Sequence, residues 1–314
     1  MEKVIVIVGP TAVGKTKMSV ELAKRINGEI ISGDSMQIYK SMDIGTAKVT
    51  SQEMDGIPHY LIDIKEPDEN YSVKDFQDEV RKCIHDISSR SKVPIIVGGT
   101  GLYIKAALYD YEFSESPLDQ SYYIEKYQHY SDDQLYQYLK KIDQESAEQL
   151  HPHNRQRVLR AIAIYESTGT KKSEMIARQE HCLLYDAYFV GLTLDREVLY
   201  QRINHRVDLM VEQGLLGEID NLMKKGYSQD LQSMKAIGYK EWFAYYQGHQ
   251  SKEETIELIK KHSRQYAKRQ YTWFKNQVPV HWFDVNLNCF EETIDNVYKK
   301  IMSFYWLRVN SGGA

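Results

Sequence analysis

The sequence predicts an α/β protein: a parallel sheet flanked by helices, interrupted by a mostly α-helical insertion. Three observations predict it. Residues 3–8 (Lys-Val-Ile-Val-Ile-Val) form a continuous β-branched run ended by Gly9, the pattern of a strand buried on both faces. Strand-like and helix-like patterns then alternate over the first 110 residues, as parallel strands joined by crossover helices require. Past that point helical spacing takes over. The organisation reads as a core at 1–112 and 187–314 and an insertion at 113–186.

Each element follows from local pattern. Val20, Leu22, Ala23 and Ile26 predict a helix over 16–26, and a second strand at 29–32 ends at Gly33. Strands are expected at 59–64 and 93–97. Ser72 with Asp75 makes a capping box that opens a helix to about Ser89. In the insertion, Leu135, Tyr138, Leu139 and Ile142 repeat at helical spacing behind Ser131 as N-cap. A strand returns at 187–194. Helices are expected at 195–212, 215–225, 234–247 and 252–275, then a strand at 280–285 and a helix to about 306. Ser-Gly-Gly-Ala at the end reads as a frayed tail.

Composition excludes several classes. Of 314 residues 42% are hydrophobic, too many for a disordered chain. No apolar run approaches the ~20 residues that span a bilayer, and no leader pattern precedes the first strand. Cys83, Cys182 and Cys289 are far apart, which argues against a zinc ribbon or disulfide framework and suits a reducing compartment. The expectation is a cytoplasmic monomer with no membrane partner.

Gly9-Pro10-Thr11-Ala12-Val13-Gly14-Lys15-Thr16 matches GxxxxGK[ST] between a strand and a helix, which makes the core P-loop NTPase-like. Glycines let backbone N–H groups turn inward on phosphate oxygens. The helix N-terminus and Lys15 add positive charge, and the Thr16 hydroxyl is placed to hold Mg²⁺. The motif implies a small-molecule di- or triphosphate and leaves the reaction open.

Asp34 follows the second strand in Ser32-Gly33-Asp34-Ser35-Met36-Gln37. Ligands gather at the carboxyl ends of parallel strands, so Asp34 should face the loop's crevice as metal ligand, general base or plain turn residue. Gly98-Gly99-Thr100-Gly101 repeats the strand-turn-helix logic and offers the Thr100 hydroxyl. No apolar strand ends in an aspartate of the kind an ordinary ATPase uses. On the helix at 195–212, Arg202 and Arg206 are four residues apart and could point together at the phosphate site or at water.

The net charge of −4 conceals local fields. Residues 110–150 sum to −7, residues 151–178 to +4 and residues 260–275 to +6. In the last stretch Lys261, Arg264 and Lys268 share a helical face, interleaved with Tyr266, Tyr271, Trp273 and Phe274. Cations mixed with rings suit RNA, where charges meet phosphates and rings stack on unpaired bases; a solvated face over a core stripe is the other reading. The basic stretches are expected to face RNA and the acidic one to face away.

Several strings together resemble one family, the tRNA dimethylallyltransferases (tRNA isopentenyltransferases) of bacterial type, without a C-terminal zinc finger. They are GPTAVGKT at 9–16, SGDSMQIY at 32–39, DIGTAK at 43–48, PHYLID at 58–63, GGTGLY at 98–103, QRVLRAI at 156–162, RINHRVDLM at 202–210, KAIGYKE at 235–241 and YAKRQYTWF at 266–274. They come in family order and span nearly the whole chain. Tyr60 stands where His is frequent, and DIGTAK is not followed by Pro.

The resemblance implies transfer of a dimethylallyl group from dimethylallyl diphosphate to N6 of the tRNA adenosine immediately 3′ of the anticodon, flipped out of its stack. It implies Asp34 as base, diphosphate on the loop with Lys15 and Mg²⁺, Arg206 (Arg202 second) on the diphosphate, and Thr100 on the target nucleotide. Asp34, Ser35, Met36, Gln37, Gln156, Arg157, Arg160, Lys235 and Lys240 match segments that touch tRNA. Arg264 and Lys268 join them from the basic helix. The insertion resembles a domain that clamps the anticodon stem-loop. The competing readings are a P-loop kinase of a nucleoside or small metabolite, which leaves the basic aromatic helix without a use, and a non-catalytic RNA-binding GTPase-like protein.

Overall fold

Val4 to Val8 are buried, and their strand runs inside a six-stranded sheet, as an unbroken β-branched run should. The computed structural model describes residues 1–111, 113, 120–178 and 181–311; the last three residues of the expected tail and part of the expected insertion lie outside these. In chain order the elements are β1 (Lys3–Val8), α1 (Lys15–Ile26), β2 (Gly28–Ser32), α2 (Ser51–Met54), β3 (His59–Tyr60), α3 (Val73–Ser89), β4 (Val93–Gly98) and α4 (Gly101–Leu108). Then come α5 (Gln120–Lys126), α6 (Asp132–Ile142), α7 (Gln144–Glu148), α8 (Arg155–Thr168) and α9 (Lys172–Ala177). The chain ends with β5 (Asp186–Thr193), α10 (Arg196–Glu212), α11 (Leu215–Lys224), α12 (Trp242–Tyr246), α13 (Lys252–Gln277), β6 (His281–Asp284) and α14 (Phe290–Ser311).

Two compact units result, one of residues 1–108 and 183–314, the other of residues 109–182. The first holds the sheet. Its strands are all parallel in the order β3-β2-β4-β1-β5-β6, with Ile5 opposite Ile95 and Tyr188. This order sets the carboxyl ends of β2, β4 and β1 side by side, so the three glycine turns are neighbours. One face of the sheet packs Ile5, Ile7, Ile95 and Val190 against Met18 and Leu22 of α1 and Ile294 and Val297 of α14.

In the second unit, Leu135 and Leu139 of α6 pack on Val158 and Ile162 of α8. Ser131 caps α6 in a box with Gln134. Three of its tyrosines hold the unit together: Tyr127 and Tyr138 donate to Glu166, and Tyr136 donates to Ala147 O. Arg155 is held inside the unit by Tyr127 O, Tyr130 O and Asp132.

Two expected elements are shorter than the pattern suggests. The strand at 59–64 stops after Tyr60, because Leu61 and Asp63 take positive φ and turn the chain. The helix at 234–247 survives only as a 3₁₀ turn, Ser233–Lys235, and α12. Ala236 is extended and Gly238 has φ +96°, which ends helical bonding between them. Among the described residues no helix is long and apolar enough to cross a membrane.

Candidate active site

The three glycine turns and α10 enclose a cleft of about 640 Å³ in the first unit, lined by Thr11, Lys15, Thr16, Asp34, Arg202 and Arg206, among others. The phosphate loop forms because Gly9 and Gly14 take φ +144° and +104°, and Ala12 also lies in the left-handed region. Any side chain at Gly9 would put its Cβ 2.6 Å from Leu192 O. Val13 sends its side chain into the core, so it can offer a ligand only its backbone.

Cations converge on this loop. Lys15 donates from Nζ to Gly9 O (3.0 Å) and Pro10 O (2.8 Å). Part of its surface opens to the cleft, yet the dense protein around it, with Arg206 nearby, lowers the ammonium to about 7 against the favourable pull of Asp34. Arg202 and Arg206 of α10 both point at the loop. Arg202 donates from Nε to Ala12 O at 2.9 Å, and Arg206 from Nη1 to Thr11 Oγ1 at 3.2 Å. Burial lowers the Arg206 pKa while Asp34 and Glu53 raise it, and a guanidinium stays charged at neutral pH.

Asp34 and Thr100 occupy the next two strand ends. Asp34 Oδ1 accepts from Met36 N at 2.9 Å, an Asx turn that fixes the carboxylate at the cleft wall. Thr100 Oγ1 accepts from Ser35 N at 3.2 Å, stitching the β4 turn to the β2 turn. Gln37 donates to Ala47 O at 3.2 Å. Ser35, Met36 and Gln37 are partly exposed around the same turn.

The remaining expected nucleic-acid residues lie elsewhere. Lys235 and Lys240 are exposed, on either side of Gly238. Lys268 is exposed on α13, whereas Arg264, on the same helix, donates to Asn204 Oδ1 at 2.5 Å. Gln156, Arg157 and Arg160 are exposed on α8 of the second unit. Lys172 lies within the field of Arg160 and Arg157, and its pKa is lowered mainly by burial and then by them.

Three groups of consequence escape a reading by motif chemistry. Glu218 of α11 accepts from the amides of Asp43, Ile44 and Gly45 (2.8, 2.7 and 3.1 Å) and from Tyr239. Buried Lys48 ties Tyr39 O, Asp43 and Asp63. Together they build the 43–48 loop that lines the cleft. Gln270 of α13 bridges the phosphate loop and the β4 turn; the one signal for it is a polar side chain on the stripe of Ala267 and Phe274. Of the aromatics of α13, Phe274 is buried and Tyr266, Tyr271 and Trp273 are half-buried. Trp273 fills the space a Gly101 side chain would need, and the Tyr266 hydroxyl is pushed up to about 12 by burial and by Asp34.

A parallel sheet with a phosphate loop, convergent cations and an acid one strand end away defines a P-loop-like enzyme of a phosphorylated substrate. Residues 37–277 match the IPP transferase family model. The chain is 51% identical over 310 residues to a tRNA dimethylallyltransferase of Anoxybacillus flavithermus, covering 98% of this chain and 99% of that one. Among solved structures it is similar to a full-length tRNA isopentenylpyrophosphate transferase of Bacillus halodurans (45% identity, both chains fully covered, TM-score 0.77). It is also similar to a eukaryotic dimethylallyltransferase acting on tRNA (35% identity, 90% of this chain and 74% of that one, TM-score 0.79). The chain belongs to the IPP transferase family.

Proposed function

We propose that the protein transfers a dimethylallyl group from dimethylallyl diphosphate to N6 of the tRNA adenosine immediately 3′ of the anticodon. The observation that carries this reading is the cleft's polarity: Lys15, Arg202 and Arg206 gather at the phosphate loop, and Asp34 and Thr100 stand on neighbouring strand ends. The N6 lone pair attacks C1 of the allyl group, the C1–O bond breaks, and the diphosphate leaves with the electron pair. An exocyclic amine delocalised into its ring is a weak nucleophile, so Asp34 takes the N6 proton as the C–N bond forms. Thr100 orients the nucleotide beside it. Lys15 and Arg206 stabilise the charge that grows on the leaving diphosphate.

The donor set suits Mg²⁺. Thr16 lines the cleft and carries a hydroxyl, and among the described residues no group of three His, Cys, Asp or Glu forms a cage of its own. The ion would be held by Thr16 and diphosphate oxygens, as Mg²⁺ commonly is beside phosphates. Bound there, it would neutralise negative charge on the leaving group.

The RNA contact is assigned to Ser35–Gln37, Lys235, Lys240 and Lys268 in the first unit and to Gln156, Arg157 and Arg160 in the second. The anticodon stem-loop is the expected partner. Incubation of the protein with dimethylallyl diphosphate, Mg²⁺ and unmodified tRNA should give N6-isopentenyladenosine, read by mass analysis of digested tRNA. ADP and a phosphorylated nucleoside from ATP, with no prenylated tRNA, would replace this reading with a kinase.

A further inference from the structure

The inner face of α13 touches both turns that the proposed transfer needs. Gln270 is 5% exposed, accepts from Thr11 N through Oε1 at 2.9 Å, and donates from Nε2 to Gly99 O at 3.1 Å. Thr11 in turn receives Arg206 on its hydroxyl, and Gly99 precedes Thr100. A Cβ at Gly99 would lie 1.9 Å from Gln270 Nε2, so the turn approaches the amide as closely as glycine alone permits. A primary amide carries donor and acceptor on one rigid plane, which suits it to set the distance between two backbones.

We propose that Gln270 is a positioning residue that fixes the spacing between the phosphate loop, which holds the donor, and the β4 turn, which holds the acceptor nucleotide. The inference rests on the proposed prenyl transfer. The bridge's contacts are backbone groups of the two turns, so it acts through them. Reacting atoms must meet at about 3–3.5 Å, and a misplacement of about 1 Å costs on the order of 10² in rate.

Gln270→Glu and Gln270→Leu test this with dimethylallyl diphosphate and tRNA, each against the wild type at two pH values. Wild type that makes no prenylated tRNA would sink the reaction, a result separate from the bridge. An ionised Glu keeps an acceptor for Thr11 N but sets an oxygen against Gly99 O. Protonated, as burial favours, it accepts and donates as the amide does. Tyr266 on α13, Arg206 on α10, Lys15 of the loop and Asp34 of the β2 turn share this part of the site in both proteins, so their own titration largely cancels in the ratio. The kcat of Gln270→Glu relative to wild type is expected to be down about tenfold or more near pH 8 and to recover toward pH 6, with donor KM held within about threefold. Gln270→Leu is expected to stay low at both. A ratio for Gln270→Glu that does not change with pH, or a Leu variant within about twofold of wild-type kcat, overturns the proposal. The Glu ratio is measured within one folded protein, so it decides the matter even where the Leu variant folds poorly.

Discussion

Arg206 Nη1 lies 3.2 Å from Thr11 Oγ1, a contact that joins α10 to the phosphate loop across 195 residues of chain. The contact aims the guanidinium at the loop, and donors held in place are where electrostatic catalysis gains most. Arg206→Leu should lower kcat/KM for dimethylallyl diphosphate by about 10²–10³, the usual cost of removing one such donor. Arg206→Lys should recover part of it, because it restores charge without the planar fork. Steady-state kinetics at saturating tRNA check both. Equal kcat/KM for Leu and wild type would return Arg206 to a structural role.

Glu218 makes a second prediction. Its carboxylate satisfies three consecutive amides of the 43–45 turn and the Tyr239 hydroxyl. Glu218→Ala leaves these groups without that acceptor and should cost about 1–3 kcal/mol, seen as a lower urea midpoint. The same turn leads to Ala47, whose carbonyl accepts from Gln37, so activity should fall together with stability.

Glu29 gives a pH dependence. Its carboxylate is buried at the start of β2, paired with both nitrogens of Arg90 at 2.7 Å, with Lys92 at 2.6 Å and with Tyr60. Arg90 foremost lowers its pKa from 4.5 to about 2, against the opposing effect of burial. The unfolded chain therefore binds the proton first as pH falls. The stabilisation is present above the unfolded value of 4.5 and is lost as pH drops through about 2. Urea midpoints for wild type and Glu29→Gln should differ most near neutrality and converge as the solution is acidified. A constant gap would show that Glu29 does not titrate in that window.

This network also shows what the sequence could and could not disclose. The β-branched run of β1, the capping box of Ser72, the N-cap at Ser131 and the phosphate loop rest on short-range rules and were readable from adjacent residues. The carboxyl edge followed from the parallel sheet, which put Asp34 and Thr100 beside the loop. The partners of Glu218, Gln270 and Arg90 lie tens to hundreds of residues away, and no local spacing encodes them. The 234–247 segment misled for the same reason: its helical pattern gives way where Tyr239 is drawn onto Glu218 and Gly238 turns left-handed. The tyrosine and tryptophan rings of α13 suggested stacking on bases, yet Trp273 packs against the β4 turn at Gly101.

The sharpest remaining prediction separates the two roles open to Asp34. Its Oδ1 accepts from Met36 N at 2.9 Å, so a turn-forming role and a proton-accepting role coexist in one side chain. Asp34→Asn retains a carbonyl oxygen for the Met36 amide and removes the basic carboxylate. If Asp34 only shapes the turn, the Asn protein should turn over within a few-fold of wild type. If Asp34 takes the N6 proton, kcat should fall by about 10²–10⁴ while tRNA affinity changes little, because the turn and its neighbours Ser35 to Gln37 keep their positions. Single-turnover rates with bound tRNA, alongside tRNA binding measured at one fixed salt concentration, distinguish the cases. Loss of binding in parallel with loss of rate would assign Asp34 to RNA recognition instead. We expect the rate to fall alone.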